Sequence, residues 1–334
     1  GMLPFAAYRP DPSWLPGEEA TRWFLDRTAD QSFACLTAPW QVELPPGPAK
    51  TYVFATGSQP SRFDSTGLEV SQRFAISADG TRVPYFIIGT PGSGGDPKPT
   101  LLYGYGGFEI PLTPGYSAVT GKLWLERGNT FAVANIRGGG EYGPSWHQAA
   151  LKANRHKAFE DFEAVASDLV ANGFTDRDHL AISGGSNGGL LVGSVFTRNP
   201  DLCAGVICAV PLLDMLRYHL LLAGASWVGE YGDPNDDEMA AYLATYSPFH
   251  NVKPDVDYPT VFFVTSTRDD RVHPGHARKM VARMIDQGHD VYYYENTEGG
   301  HSAGANLKQQ ARLSALEYVY LDTVLGIQTA IVSE

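Results

Sequence analysis

From about residue 98 onward, short apolar runs alternate with stretches that carry helical patterns, and this alternation narrows the possible architectures more than any other feature of the chain. Six runs stand out: TLLYGY from Thr100, TFAVANI from Thr130, LAIS from Leu180, GVICAV from Gly205, TVFFVTS from Thr260 and DVYYYE from Asp290. Each is rich in β-branched or aromatic residues and bounded by Gly, Pro, Asn or Asp, so each reads as a strand. Alternation with helices implies a parallel sheet joined by crossovers. One such helix is predicted where Phe159, Phe162, Ala166 and Leu169 recur at three- and four-residue spacing before Gly173. Another follows His301. Two earlier runs, RFAIS from Arg73 and VPYFIIG from Val83, flank the turn-forming Asp79-Gly80 and read as an antiparallel hairpin, bringing the strands to eight.

Residues 1–72 are of a different kind, Pro-rich with Trp14, Trp23 and Trp40 among strand-like pieces such as TYVFATG. Sequence of this sort is expected to pack as an N-terminal extension on the domain that spans 73–334. No repeat of 20 to 50 residues runs through the chain, which argues against a complete propeller.

Charge and cysteine content exclude several functions. With 25 Lys and Arg against 37 Asp and Glu the formal net charge is −12, which repels a nucleic-acid backbone, and no basic run offsets it. Cys35, Cys203 and Cys208 form no C-x-x-C pair and suggest buried thiols rather than a disulfide framework or a zinc site. His273 and His276 lack a third ligand and read as solvated side chains. The opening GMLPFAAYRPDPSW has neither a charged n-region nor an apolar h-region, so no signal peptide is expected in this chain and cytoplasmic residence is favoured. No membrane contact is expected.

The strand LAIS runs directly into Gly184-Gly185-Ser186-Asn187-Gly188-Gly189 and then into LLVGSVF. Strand, glycine turn and helix in that order make a nucleophile elbow, in which the flanking positions are glycine because a Cβ there would collide with a neighbouring strand or helix. The bland reading is a turn that merely connects strand to helix. A phosphate loop is excluded because no G-x-x-x-x-G-K-[ST] exists, and Gly104-x-Gly106 is followed by Glu109 where a third glycine is needed. The fold expected is therefore an α/β-hydrolase fold: an eight-stranded, mostly parallel sheet with helices on both faces.

A serine hydroxyl is a weak nucleophile and needs a histidine base with an acid to orient it. In this fold the order is nucleophile, acid after strand seven, histidine after strand eight. His301, in EGGHSAG, has the required position, while the end of the seventh strand offers both Asp269 and Asp270, between which spacing alone does not choose.

Five ordered motifs, YGYGGF at 103–108, NIRGGGEYG at 135–143, GGSNGG at 184–189, DDRV at 269–272 and GGH at 299–301, together resemble the prolyl oligopeptidase family over about residues 73–327. The resemblance implies Asp269 as the acid and Arg271 as the group that holds a substrate carbonyl. It also implies an oxyanion site made of the Tyr105 hydroxyl and the Asn187 backbone N–H. A proline pocket is implied from Phe108, Leu212, Trp227, Tyr231 and Val272, with the Trp227 ring stacked on the proline. Full-length members carry a seven-bladed propeller over the site, for which residues 1–72 are too short; a face left open in this way would favour self-association.

The activity implied is serine peptidase cleavage of peptides after proline through an acyl-enzyme, with no metal or organic cofactor. A carboxylesterase or an acylaminoacyl-peptidase-like hydrolase would share the triad without the proline preference. A non-catalytic binding module on the same scaffold is the reading from another class, and an intact Ser186, Asp269 and His301 weigh against it.

Overall fold

The computed structural model describes residues 62–90, 96–113 and 115–327. The expectations that fall on residues 1–61, namely the packed extension with Trp14, Trp23, Trp40, TYVFATG and Cys35, lie outside the described residues. The compact unit that carries the candidate site begins at Phe63.

All eight expected strands form: β1 (Glu69–Ile76), β2 (Arg82–Gly89), β3 (Thr100–Gly104), β4 (Thr130–Ala134), β5 (Leu180–Gly185), β6 (Gly205–Ala209), β7 (Thr260–Ser266) and β8 (Val291–Asn296). They make one sheet in the order β1-β2-β4-β3-β5-β6-β7-β8. The β1–β2 hairpin and the β2–β4 pairing are antiparallel, and every other neighbour is parallel. This is the α/β-hydrolase fold. β1 begins four residues before the run read from sequence, because its pairing with β2 continues through Glu69, Val70, Ser71 and Gln72. Those side chains are exposed and so leave no apolar pattern to read.

The parallel strands read as almost unbroken apolar runs because both faces of the sheet are covered. Leu102, Ile182, Val206 and Val261 are partners across β3, β5, β6 and β7 and form one buried row. Their sequence neighbours Leu101, Ala181, Ile207 and Phe262 belong to a second core on the opposite face. Five helices of ten or more residues lie among the described residues: α1 (His156–Ala171), α2 (Asn187–Arg198), α3 (Asp237–Tyr246), α4 (Gly275–Asp286) and α5 (Leu307–Val324). The first four contribute to the core of the first face, while Tyr320 and Leu321 of α5 belong to the second.

Burial rather than propensity holds α1 in place. Phe159, Phe162 and Leu169 are wholly buried, and each such side chain contributes about 1.5–3 kcal/mol relative to exposure. The arginine of NIRGGGEYG belongs to the framework. Arg137 is buried and donates from Nε to Asp161 Oδ2 at 2.9 Å and from Nη2 to Asp161 Oδ1 at 2.6 Å. It also reaches Asp79 in the hairpin turn, from Nη2 to Oδ1 at 3.1 Å. One guanidinium thus joins the end of β4, helix α1 and the β1–β2 turn, a planar bidentate task that suits arginine.

Cys203 and Cys208 are buried and free. Burial pushes the Cys203 thiol up to about 12 and the Cys208 thiol higher still, which keeps both protonated and unreactive at neutral pH. Among the described residues no helix is long and apolar enough to cross a membrane.

Candidate active site

β5 delivers Ser186 to the carboxyl edge of the sheet at the N-cap of α2, with φ 59° and ψ −116°. A side-chain-bearing residue at positive φ is strained and persists only when its surroundings fix it. Here the Ser186 N–H donates to Ala209 O at 2.9 Å, and its carbonyl accepts from Gly189 N at 2.9 Å and Leu190 N at 3.1 Å. The turn requires its glycines: a Cβ on Gly184 would run into Gly188 O, and one on Gly188 would stand 2.6 Å from Gly104 O on the neighbouring strand. Ser186 itself is half-buried, so its hydroxyl is supported yet accessible.

β7 lies two strands from β5 and β8 three, so at about 4.8 Å per strand the histidine must return over roughly 14 Å on a loop. That loop is anchored. Asn296 Oδ1 accepts from Glu298 N and Gly299 N, each at 2.8 Å, and the Ser266 hydroxyl donates to Gly299 O. His301 Nδ1 then meets Asp269 Oδ2 at 2.8 Å. Asp269 is only 4% exposed, and its other oxygen accepts from Arg271 N and Val272 N at 2.9 Å each. Asp270 is exposed, so of the two carboxylates that spacing left open it is Asp269 that hydrogen-bonds His301. Among the described residues no hydrogen bond joins His301 to the Ser186 hydroxyl; contacts of this kind commonly tighten only around bound substrate.

Tyr105 follows β3 directly, on the other side of Ser186 from the histidine loop. Burial raises the pKa of its phenol, and the Arg271 charge and the Ser186 hydroxyl oppose that rise only in part. The phenol is therefore a proton donor at neutral pH, placed within electrostatic reach of both. Asn187, the first residue of α2, is fully buried, with its amide Nδ2 donating to Tyr105 O at 2.6 Å.

The expected pocket residues belong to, or pack against, one core cluster. Leu212, Tyr231 and Val272 are buried in the first core, and Phe108 and Trp227 pack against it half-exposed. The Phe108 and Tyr231 rings meet edge to face, 5.8 Å between centroids. Trp227 caps the start of a short helix, Val228–Tyr231, that Tyr231 ends. Arg271 is exposed at the side chain, while its carbonyl accepts from Ala223 N at 3.3 Å and so ties the acid loop to the segment that leads to Trp227.

Residues 116–328 match the model of the prolyl oligopeptidase family. The chain belongs to the prolyl oligopeptidase family. It is 56% identical over 265 residues to an uncharacterized peptidase of Sinorhizobium fredii, covering 79% of this chain and 36% of that one. It is 44% identical over 253 residues to a prolyl endopeptidase of Elizabethkingia miricola, with 74% and 36% covered. A solved structure of a post-proline cleaving enzyme from Rickettsia typhi superposes with a TM-score of 0.77 at 39% identity, over 80% of this chain and 39% of that one. The chain thus spans a little over a third of the length of the curated relatives it matches.

Sequence reasoning for this member of the prolyl oligopeptidase family missed a buried polar group beneath the site. Arg155, fully buried, donates from Nη1 to Glu230 Oε1 at 3.2 Å and from Nη2 to Asn187 Oδ1. Glu230 Oε1 also accepts from Phe108 N at 2.9 Å, and Glu230 Oε2 lies 2.8 Å from His147 Nε2. The Tyr231 hydroxyl donates to the same Asn187 Oδ1 at 2.8 Å. One signal was available. The apolar stripe of α1 at 169, 166, 162 and 159, carried back one turn, lands on Arg155, and a charge on a core stripe demands a buried partner.

His276 corrects an expectation. The sequence reads it as solvated, but it is 1% exposed, with Nδ1 accepting from Leu213 N at 3.2 Å and Asp214 N at 3.1 Å. Burial holds its pKa down to about 4, so it stays a neutral acceptor that pins the loop after β6. His273 precedes α4 and is half-exposed, accepting from Gly275 N at 2.9 Å.

Proposed function

We propose that this chain is a serine peptidase domain that cleaves peptides on the carboxyl side of proline through an acyl-enzyme. The observation that carries the reading is the His301–Asp269 pair, brought by two separate loops to the sheet edge where Ser186 sits in its strained turn. With the Asp269 carboxylate accepting from Nδ1, the imidazole keeps Nε2 as its free acceptor. That nitrogen takes the Ser186 proton as the oxygen attacks the carbonyl carbon of the proline. The Asn187 N–H, at the positive end of α2, and the Tyr105 hydroxyl donate to the developing oxyanion. His301 then gives its proton to the leaving amine, and water repeats the sequence to release the acyl group.

Proline at the cleaved position is supported by the apolar, flat-sided group of Phe108, Trp227, Tyr231 and Val272, and by relatives named for post-proline cleavage. Arg271, exposed and with its charge reaching the Tyr105 phenol, holds a substrate carbonyl outside the pocket in this reading.

The test is a comparison of kcat/KM on a prolyl amide, the matching alanyl amide and a short aryl ester. The proline reading predicts a preference of at least about 10-fold for prolyl over alanyl, the order available from filling an apolar pocket. Ester hydrolysis with no prolyl cleavage would transfer the site to the esterase reading.

A further inference from the structure

The residues under Ser186 form a closed circuit. From the Phe108 N–H it passes to Glu230 Oε1, then to Arg155, to Asn187 Oδ1 and to the Tyr231 hydroxyl. The Tyr231 ring closes it by meeting Phe108 edge on. The Arg155 guanidinium also lies 5.3 Å from the Tyr231 ring centroid, within range of a cation–π attraction.

Two of the groups held this way cannot fix themselves. Phe108 has φ 57° and Glu109 φ 56°, a conformation that side-chain-bearing residues adopt only under constraint; the Phe108 N–H bond to Glu230 supplies one. Asn187 begins α2, where the first backbone N–H groups have no partner within the helix. Its side chain is gripped at both ends, by Tyr105 O on Nδ2 and by Arg155 with Tyr231 on Oδ1. Gly107 leaves room for that grip, since a Cβ there would sit 2.5 Å from Asn187 Nδ2. Arg155 hydrogen-bonds both halves, through one guanidinium nitrogen each.

We propose that Arg155 is a positioning residue for the reaction at Ser186, locking the Asn187 oxyanion donor and the Phe108–Tyr231 pocket wall into one rigid frame through Asn187 and Glu230. The proposal rests on the acyl-transfer reading but not on the proline preference. Arg155 is fully buried and acts through its hydrogen-bond partners Asn187 and Glu230. Glu230 supplies the charge that makes a buried arginine tolerable, and His147 closes the remaining carboxylate oxygen from the half-exposed side.

The frame acts on the transition state more than on ground-state binding, so its loss appears in kcat. The test measures kcat and KM for Arg155→Met, Arg155→Lys, Asn187→Ala and the Arg155→Met/Asn187→Ala double variant, on a prolyl amide and on a short aryl ester, below each variant's melting temperature. Arg155→Met is expected to lower kcat about 10-fold on both substrates, with KM changed less than about threefold. Arg155→Lys, a point charge that reaches one partner rather than two, restores part of that loss. Asn187→Ala reproduces the loss, and the double variant is no slower than the worse single, because both break one path.

A fall in melting temperature with kcat unchanged on both substrates would overturn the proposal and leave Arg155 a purely structural residue; additive losses would overturn the path through Asn187. Should Arg155→Met not fold, Arg155→Lys decides the matter, since wild-type kcat in that variant counts equally against the proposal. If the wild type turns over the ester but not the prolyl amide, the proline reading fails while the Arg155 comparison stands on the ester. If it turns over neither, both fall.

Discussion

Ser186→Ala is expected to lower kcat on a prolyl amide by at least about 10⁴-fold, the scale on which nucleophile and base act as one unit. Two features of the turn make this a clean experiment. The strained backbone is held by its own hydrogen bonds to Ala209, Gly189 and Leu190, and alanine has the same Cβ, so φ 59° costs the variant no more than the wild type. No cap hydrogen bond from the serine side chain is lost either. Melting by calorimetry should therefore shift by less than about 2 °C, corresponding to a few tenths of a kcal/mol. A variant that keeps prolyl cleavage within tenfold of wild type would remove Ser186 from the mechanism.

Tyr105→Phe is the second large effect. Loss of one oxyanion donor typically costs about 2.7–4 kcal/mol, or 10²–10³ in rate. In the proposed role the Tyr105 hydroxyl acts on charge that exists only in the transition state, so kcat and kcat/KM should fall together while KM stays within about twofold. The backbone carbonyl of Tyr105, which Asn187 Nδ2 uses, is untouched by the change. A rise in KM with kcat preserved would instead make Tyr105 a ground-state binding group and leave the Asn187 N–H without its partner donor. Steady-state kinetics on a prolyl amide, with circular dichroism to verify folding, separates the two.

How much of this was legible beforehand follows from where each signal comes from. The strands of the parallel sheet could be read because burial on both faces leaves runs such as TVFFVTS with almost no polar residue. The first half of β1 could not, because it is an edge strand whose residues there are exposed. The order Ser186, Asp269, His301 is the one the sheet topology sets; spacing alone does not separate Asp269 from Asp270, which only the family resemblance does, because two adjacent carboxylates look alike until one is buried against Arg271 N and Val272 N.

His276 shows the converse. A histidine two residues after a proline looks solvated, yet it shares the stripe of Ala277, Met280 and Met284 on α4 and is buried with them. Arg155 and Glu230 stayed hidden for a similar reason. Their pairing joins residues 75 apart, and no local pattern announces a partner at that distance.

The central claim is that Ser186 is made nucleophilic by His301, which Asp269 orients. The most direct measurement is labelling of the folded chain with a fluorophosphonate, followed by intact mass and peptide mapping, in wild type and His301→Ala. The account predicts one adduct per chain, on Ser186, formed at least about 10²-fold more slowly without the imidazole. An adduct on another residue, or equal labelling rates in the two proteins, would contradict it.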